Sequence, residues 1–433
     1  MHLSSLRFSA LAFVASCALC TACSSESSPA DASPIDPSVL IRTGVGRDGL
    51  LGWNVMSQEY AKPSDVDMLS FEWDYFMVHD NGGKFTGSVG YLFANPRNDG
   101  AGGLGDLTPK GGNVAIAGFF GDETQVANYR NFGLGNSSIS STERAFDAND
   151  PATNQFGRMT PKRAAKADAD DTLVLEGKTD AFAWNLSVVQ DWTALSASNN
   201  VFAPMHGTDV GALYPDKESW NVNMLWPRTH VAGSITRLDT GEQIAVDGHG
   251  YRENSWGRWA FNLGGWDFAV VSDDTHNVSW AWQTYHKKSV QLDYVDVGFV
   301  ENGAVKLMQF KADAKQVGWT HRTWTFDVAA RVCVPLTTTV VAQNDEYRIE
   351  AQLELKNRQV PMLSDATAAT KQYVIMIQFP MVQGKVIRRS DSAVVTTFSG
   401  QGGGEFSSAR SQETSMTDEA CNTWGATFAS PMP

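Results

Sequence analysis

Gly248-His249-Gly250-Tyr251-Arg252-Glu253-Asn254-Ser255-Trp256-Gly257 crowds glycines, a tyrosine, an acid and a tryptophan into ten residues. Glycine at this density lets backbone approach something large. The run follows a hairpin pattern from Ile235 to Val246, folded about Asp239-Thr240-Gly241-Glu242, so it reads as the end of a strand where a sheet turns inward. Side chains alternate along a strand. Tyr251, Glu253 and Ser255 therefore share one face, expected to point inward, while Arg252, Asn254 and Trp256 share the other. A phenol beside a carboxyl group on one face is a candidate for proton transfer.

The flanking chain repeats the extended pattern. Residues 69–93 read as strand, Asp80-Asn81-Gly82-Gly83 turn, strand, and 113–120 as an apolar strand after the glycine-rich stretch 98–112. Further strand-like runs fall at 172–176, 181–189, 220–226, 265–272 and 278–285. An Asn302-Gly303 turn joins 294–301 to 304–310, and 322–326, 330–336, 347–355, 373–379 and Phe406 follow. Extended amphipathic helical patterns are nearly absent, and 160–171 reads as a short helix or a charged loop. The chain is thus expected to be all-β, with two barrels or sandwiches in tandem joined around 194–215. The expected division is a leader at 1–22, a tether at 23–45 and β-domains at 46–205 and 206–433.

The N-terminus carries Arg7, an apolar stretch from Phe8 to Leu19 and a Thr21-Ala22-Cys23 junction followed by Ser24-Ser25-Glu26-Ser27-Ser28. That pattern predicts a bacterial lipoprotein signal with Cys23 as the lipidated residue. Cys17 is the competing match, with a shorter apolar stretch before it. The expected location is extracytoplasmic, held to a membrane through the N-terminal lipid alone. Loss of Arg7 and no acid takes the formal net charge from -14 to -15, which argues against nucleic acid and anionic membrane surfaces as partners. Beyond the leader and the lipidated Cys23 only Cys333 and Cys421 remain, and in an oxidising compartment they are expected to pair.

Three stretches carry a resemblance. Gly248 to Gly257 resembles the G-x-G-Y-x-D-x-N-W-G signature of the AttH-like, or carotenoid 1,2-hydratase, family of the calycin superfamily, to which kievitone hydratase-like enzymes and some fungal Diels-Alderases belong. Phe71-Glu72-Trp73-Asp74-Tyr75-Phe76 resembles that family's early W-E-W-W-Y-F strand, and Gly400-Gln401-Gly402-Gly403-Gly404-Glu405-Phe406 its closing G-x-G-x-x-E strand. The chain departs from the pattern at Glu253 (usually Asp), Ser255 (usually Asn) and Asp74 (often aromatic). The resemblance implies two lipocalin-like barrels and a site that hydrates, dehydrates or cyclises a hydrophobic isoprenoid or polyketide-like molecule. It places the proton donor on Glu253, with Tyr251 beside it. Trp226 on the preceding strand resembles an upstream aromatic of that pocket, and Trp73, Tyr75 and Trp266 are further candidates for its wall.

Elementary chemistry agrees with that implication. Water alone protonates an alkene poorly, so an acid facing an apolar pocket and aromatic faces beside a developing cation are what such a reaction needs. Arg252 and His249 are the adjoining candidates for substrate contact. The residues also allow plainer roles: Arg252 and Glu253 as a barrel-closing ion pair, His249 as a hydrogen-bonded core histidine, and the glycines with Trp256 as formers of the sheet corner.

Other chemistries lack their residues. No G-x-S-x-G elbow occurs, no histidines stand at H-x-x-x-H or H-x-H spacing, and Gly402-Gly403-Gly404 precedes no Lys-Ser/Thr. Asp168, Asp170 and Asp171 lack the glycine and distal glutamate of an EF-hand loop. No metal or redox cofactor is expected. The leading expectation is an enzyme for a hydrophobic small molecule. A non-catalytic lipocalin-like carrier is the alternative, and a carbohydrate-binding sandwich a third reading.

Overall fold

A computed structural model describes residues 70–94, 111–121, 124–139, 145–162, 172–190, 201–203, 219–258, 266–273, 275, 277–285, 294–311, 315–355, 359–363, 373–409 and 413–426. The lipidation expectation at Cys23 and the tether lie outside the described residues, as does 163–171.

The first part of the chain forms β1 (Ser70–Asp80), β2 (Phe85–Ala94), β3 (Gly111–Phe120), β4 (Gln125–Gly133), β5 (Ser137–Ile139) and β6 (Phe146–Asp150). It continues with β7 (Gln155–Lys162), β8 (Thr172–Lys178), β9 (Phe182–Gln190), β10 (Val201–Ala203), β11 (Ser219–Arg237) and β12 (Gln243–Arg258). These make a 12-stranded antiparallel sheet in the order β4-β3-β2-β1-β12-β11-β9-β8-β7-β6-β5, with β10 added beside β11. Its two ends are drawn together. Gly112 N–H on β3 donates to Ser137 Oγ on β5 at 2.7 Å, and Arg130 on β4 pairs with Asp150 on β6. The result is a nearly closed barrel, which leaves little exposed edge. The sheet runs to Arg258 and so crosses the expected division at 205/206, because β12 returns along the whole of β1.

The interior of this barrel is a packed core. Phe76, Tyr91, Phe146 and Trp184 are buried in it. Tyr91 stands edge-on to Phe76 and Phe146, with ring centroids 6.3 and 5.5 Å apart. Its polar tip is also satisfied: Trp184 Nε1 donates to Tyr91 Oη at 3.0 Å, and that hydroxyl donates to the Glu176 carbonyl at 3.0 Å.

The second part comprises β13 (Trp266–Ser272), β14 (Val278–Tyr285), β15 (Tyr294–Glu301), β16 (Ala304–Lys311), β17 (Val317–Asp327) and β18 (Val332–Gln343). After them come β19 (Tyr347–Glu354), β20 (Gln359–Leu363), β21 (Tyr373–Gln378), β22 (Met381–Arg388), β23 (Val394–Gln401), β24 (Gly403–Ala409) and one helix, α1 (Asp418–Gly425). A 7-stranded sheet, β16-β15-β14-β13-β24-β21-β20, faces a 5-stranded sheet, β17-β18-β19-β22-β23. Val271, Trp280 and Phe299 from the first meet Val340, Ile349 and Phe398 from the second in one core. The chain changes sheets at Phe379-Pro380 and again at Gly402. A Cβ on Gly402 would lie 2.8 Å from the Val270 carbonyl oxygen, so a larger residue would open that corner. The all-β expectation holds, and the hairpins about Asn302-Gly303 and residues 238–242 form where the sequence places them.

Helix α1 covers the edge strand β17. Thr417 caps it by accepting from Ala420 N–H at 3.1 Å, with Asp418 and Glu419 in the first turn. Asn422 then imitates a strand partner: its Oδ1 accepts from Trp324 N–H at 3.0 Å and its Nδ2 donates to the Trp324 carbonyl at 3.1 Å. Cys421 of this helix is joined to Cys333 of β18 with the Cα atoms 5.4 Å apart.

Candidate active site

The β1–β12 register positions the site. Tyr75 stands opposite Glu253, Met77 opposite Tyr251, Phe76 opposite Arg252 and Asp74 opposite Asn254. Residues directly opposite in an antiparallel pair share a face. Tyr75, Met77, Tyr251 and Glu253 therefore share one face, and Asp74, Phe76 and Arg252 the other. The inward face is the second of these, contrary to the sequence expectation. Phe76 and Val78 belong to the barrel core, whereas the Tyr251 and Glu253 face is turned outward onto β13 and β24 of the 7-stranded sheet.

Several contacts fix that junction. The Phe268 ring of β13 lies 6.0 Å from Tyr251 and 6.5 Å from Tyr75. Ser272 Oγ donates to the Gly250 carbonyl at 3.0 Å. Met77 reaches Gly403 so closely that a Cβ there would fall 1.5 Å from Met77 Cε. Gly250 likewise lets β12 press on β1, since its Cβ would meet the Met77 carbonyl oxygen at 1.9 Å. Those glycines serve packing, not catalysis.

Two carboxyl groups meet in this junction, one from each sheet. Tyr251 Oη donates to Glu253 Oε2 at 2.9 Å in buried surroundings. Trp266 Nε1 donates to Glu405 Oε2 at 3.2 Å. Glu405 is cross-strand to Phe268 on one side and Ile377 on the other, an apolar frame. Burial first, and then the nearby charge of Glu253, push the Glu405 carboxyl up to about 7, against the Trp266 hydrogen bond that lowers it. The Glu405 residue nevertheless keeps a partly exposed surface. Burial, followed by the Glu405 charge, likewise raises the Tyr75 phenol well above its ordinary value, with Ser88 opposing. Tyr75 Oη is buried without a well-aligned hydrogen bond, and its Ser88 neighbour does not satisfy it. A buried hydroxyl in that state is a ready donor to a ligand oxygen.

The other expected residues separate. Arg252 lies on the far side of β12, fully buried, with Nε 3.1 Å from Asp74 Oδ1 and its guanidinium 5.7 Å from the centre of the Phe76 ring. It is thus a core ion-pair partner inside the first barrel, and Asp74, which departs from the family pattern, is the acid it pairs with. His249 shares the Glu253 face but sits roughly 13 Å away along the strand. It bonds Asn81 Oδ1 through Nδ1 at 3.1 Å and the Ser272 carbonyl through Nε2 at 2.8 Å, and stacks edge-on against His79. Trp266 joins the cluster through Glu405. Trp73 and Trp226 pair with Ser255 and Arg252 in the backbone register, and their side chains lie outside the described ones.

Glu405 is the residue of this cluster that the sequence reading did not select. The sign of it was present in the closing G-x-G-x-x-E pattern, but nothing local says that this glutamate faces Glu253 from 152 residues away. A second buried cluster lies behind β13. There Arg322 pairs with Asp267 and stacks between Trp319 and Trp324, 4.7 and 4.3 Å from the ring centres. Gln378 Nε2 donates to Asp267 Oδ1 at 2.6 Å, beside a small cleft. Among the described residues no three His, Cys, Asp or Glu side chains converge as metal ligands.

No family model and no curated protein matches the chain in sequence. Its backbone is similar to that of three solved structures. CghA with Sch210972 aligns at 9% identity over 80% of this chain and 90% of that one, with a TM-score of 0.48. An AttH candidate from Nitrosomonas europaea aligns at 11% identity over 78% and 92%, with a TM-score of 0.42. Kievitone hydratase from Nectria haematococca aligns at 10% identity over 79% and 89%, also with a TM-score of 0.42.

Proposed function

We propose that the protein is an enzyme that hydrates, dehydrates or cyclises a hydrophobic isoprenoid or polyketide-like molecule held between the first barrel and the 7-stranded sheet. The observation that carries this reading is the buried pair of carboxyl groups, Glu253 and Glu405, each hydrogen-bonded by an aromatic residue and framed by Tyr75, Tyr251, Trp266 and Phe268. An acid kept protonated near neutral pH can give a proton to carbon, and aromatic faces stabilise the positive charge that follows. Two buried acids are unfavourable lining for a hydrocarbon carrier, since each is desolvated with no compensating ligand group. The carrier reading also loses the first barrel as its cavity, because Phe76, Tyr91, Phe146 and Trp184 occupy that interior.

The test is incubation of the protein in D2O with a panel of acyclic terpenoid and polyketide alkenes, followed by mass spectrometry. Hydration adds D2O with deuterium on carbon, whereas a pericyclic closure leaves the mass unchanged. Glu253→Gln retains shape and should lower turnover roughly 100-fold, the scale of acid–base catalysis. Full activity of that variant would remove Glu253 from the chemistry.

A further inference from the structure

The two carboxyl groups differ in what surrounds them. Glu253 accepts the hydroxyl hydrogen of Tyr251 at 2.9 Å. Glu405 stands on the facing sheet between Phe268 and Ile377 and accepts the indole N–H of Trp266 at the longer distance of 3.2 Å. The titratable groups that face it from the barrel are Glu253 and Tyr75, with Tyr251 behind Glu253. Like charges close together do not both ionise readily, so the carboxyl with the longer, indole-donated hydrogen bond keeps the proton.

We propose that Glu405 is the proton donor of this site and that Glu253, held by Tyr251, is the base that receives a proton from the attacking water. This assignment rests on the acid-assisted reading above and moves the donor role from β12 to β24. For an alkene lying between the sheets, the O–H bond of Glu405 breaks and its proton joins one alkene carbon. The π electron pair becomes the new C–H bond. A water oxygen lone pair bonds to the other carbon, and Glu253 takes the proton which that oxygen sheds. The pair ends with Glu405 ionised and Glu253 protonated, and passage of that proton back to Glu405 restores the starting state with nothing oxidised or reduced. Dehydration is the same path reversed. Tyr75 Oη, buried without a well-aligned partner, is placed to donate to an oxygen of the substrate.

Carbon-13 NMR of full-length protein labelled at the glutamate carboxyl carbon tests the assignment without any substrate. The Glu405 resonance, identified by its loss in Glu405→Gln, should titrate near 7, and in Glu253→Gln its midpoint should fall because the neighbouring charge is gone. Glu405→Asp provides the same identification by loss of that resonance if the Gln variant does not fold. Titration of Glu405 in the ordinary carboxyl range, or of Glu253 near 7 in its place, overturns the assignment. A second readout uses any alkene of the panel that the native protein turns over, in D2O and in oxygen-18 water. Glu405→Gln should stop deuterium entering carbon by roughly 100-fold or more, while Glu253→Gln should keep deuterium exchange and lose oxygen-18 incorporation. The opposite pattern overturns the assignment and leaves the functional reading standing. Native protein that turns over alkenes of the panel without placing deuterium on carbon overturns the donor role and leaves cyclisation standing, whereas native protein that changes none of the alkenes overturns the functional reading and the donor role with it.

Discussion

Breaking the Asp74–Arg252 pair should destabilise the protein strongly while leaving the Glu253 face untouched. Both side chains are 0% exposed and lie 3.1 Å apart, with the guanidinium over the Phe76 ring. At an effective dielectric of about 20, unit charges roughly 4 Å apart attract by about 4 kcal/mol. Removing one partner leaves the other charge buried without its ion-pair partner, which costs about 3–5 kcal/mol. Asp74→Leu and Arg252→Met should each lower stability by that amount, read from urea unfolding followed by circular dichroism. The double variant replaces the pair by apolar groups of similar bulk and should lose far less than the sum, giving a coupling of about 2–3 kcal/mol. Arg252→Met combined with Glu253→Gln should instead be additive within about 0.5 kcal/mol, because the two side chains leave opposite faces of β12. Single changes costing under about 1 kcal/mol, or coupling of Arg252 to Glu253 in place of Asp74, would refute the assignment of faces and with it the location of the site.

Two further outcomes follow from the same structure. Replacing Cys333 and Cys421 together by Ser should lower stability by about 4–5 kcal/mol in the chain-entropy account of a loop of this length, and mass analysis of unreduced native protein should find neither as a free thiol. The Glu405 carboxyl is raised from 4.5 to about 7 on folding, so between those values the folded state holds more proton than the unfolded one. The Glu405 contribution to stability should therefore fall as pH rises from 4.5 to 7, by about 3 kcal/mol in total, and be level outside that window. Glu405→Gln should flatten the slope, and an unchanged slope in that variant would assign it to other groups.

The sequence made the alternation on β12 legible, and alternation alone separates Tyr251 and Glu253 from Arg252. It did not say which face is the interior. β1 explains why: Phe-Glu-Trp-Asp-Tyr-Phe-Met-Val carries bulky apolar residues at both parities, the mark of a strand covered on both sides. Phe76 and Val78 fill the barrel, while Tyr75 and Met77 meet the second sheet. Hairpins announced by Asp80-Asn81-Gly82-Gly83 and Asn302-Gly303 were readable because turn chemistry is local. Strands β6 and β7 were not, since Phe-Asp-Ala-Asn-Asp has two apolar residues and Gly157 and Pro161 interrupt its partner.

The pairings that define the site are the least local of all. Arg252 meets Asp74 across 178 positions, and Glu405 meets a junction built from β1 and β12. Each of these residues, read alone, has a plain explanation as a solvated charge. What changes their meaning is the docking of an outward barrel face on a second sheet, made possible by Gly403 admitting Met77 and by Ser272 reaching the Gly250 carbonyl. That docking removes water from Glu253 and Glu405 together, and desolvation makes one of two coupled acids hold its proton near neutral pH. The chemistry of the site is therefore a property of the junction. A variant that loosens the junction without touching either glutamate should return Glu405 toward the ordinary carboxyl range.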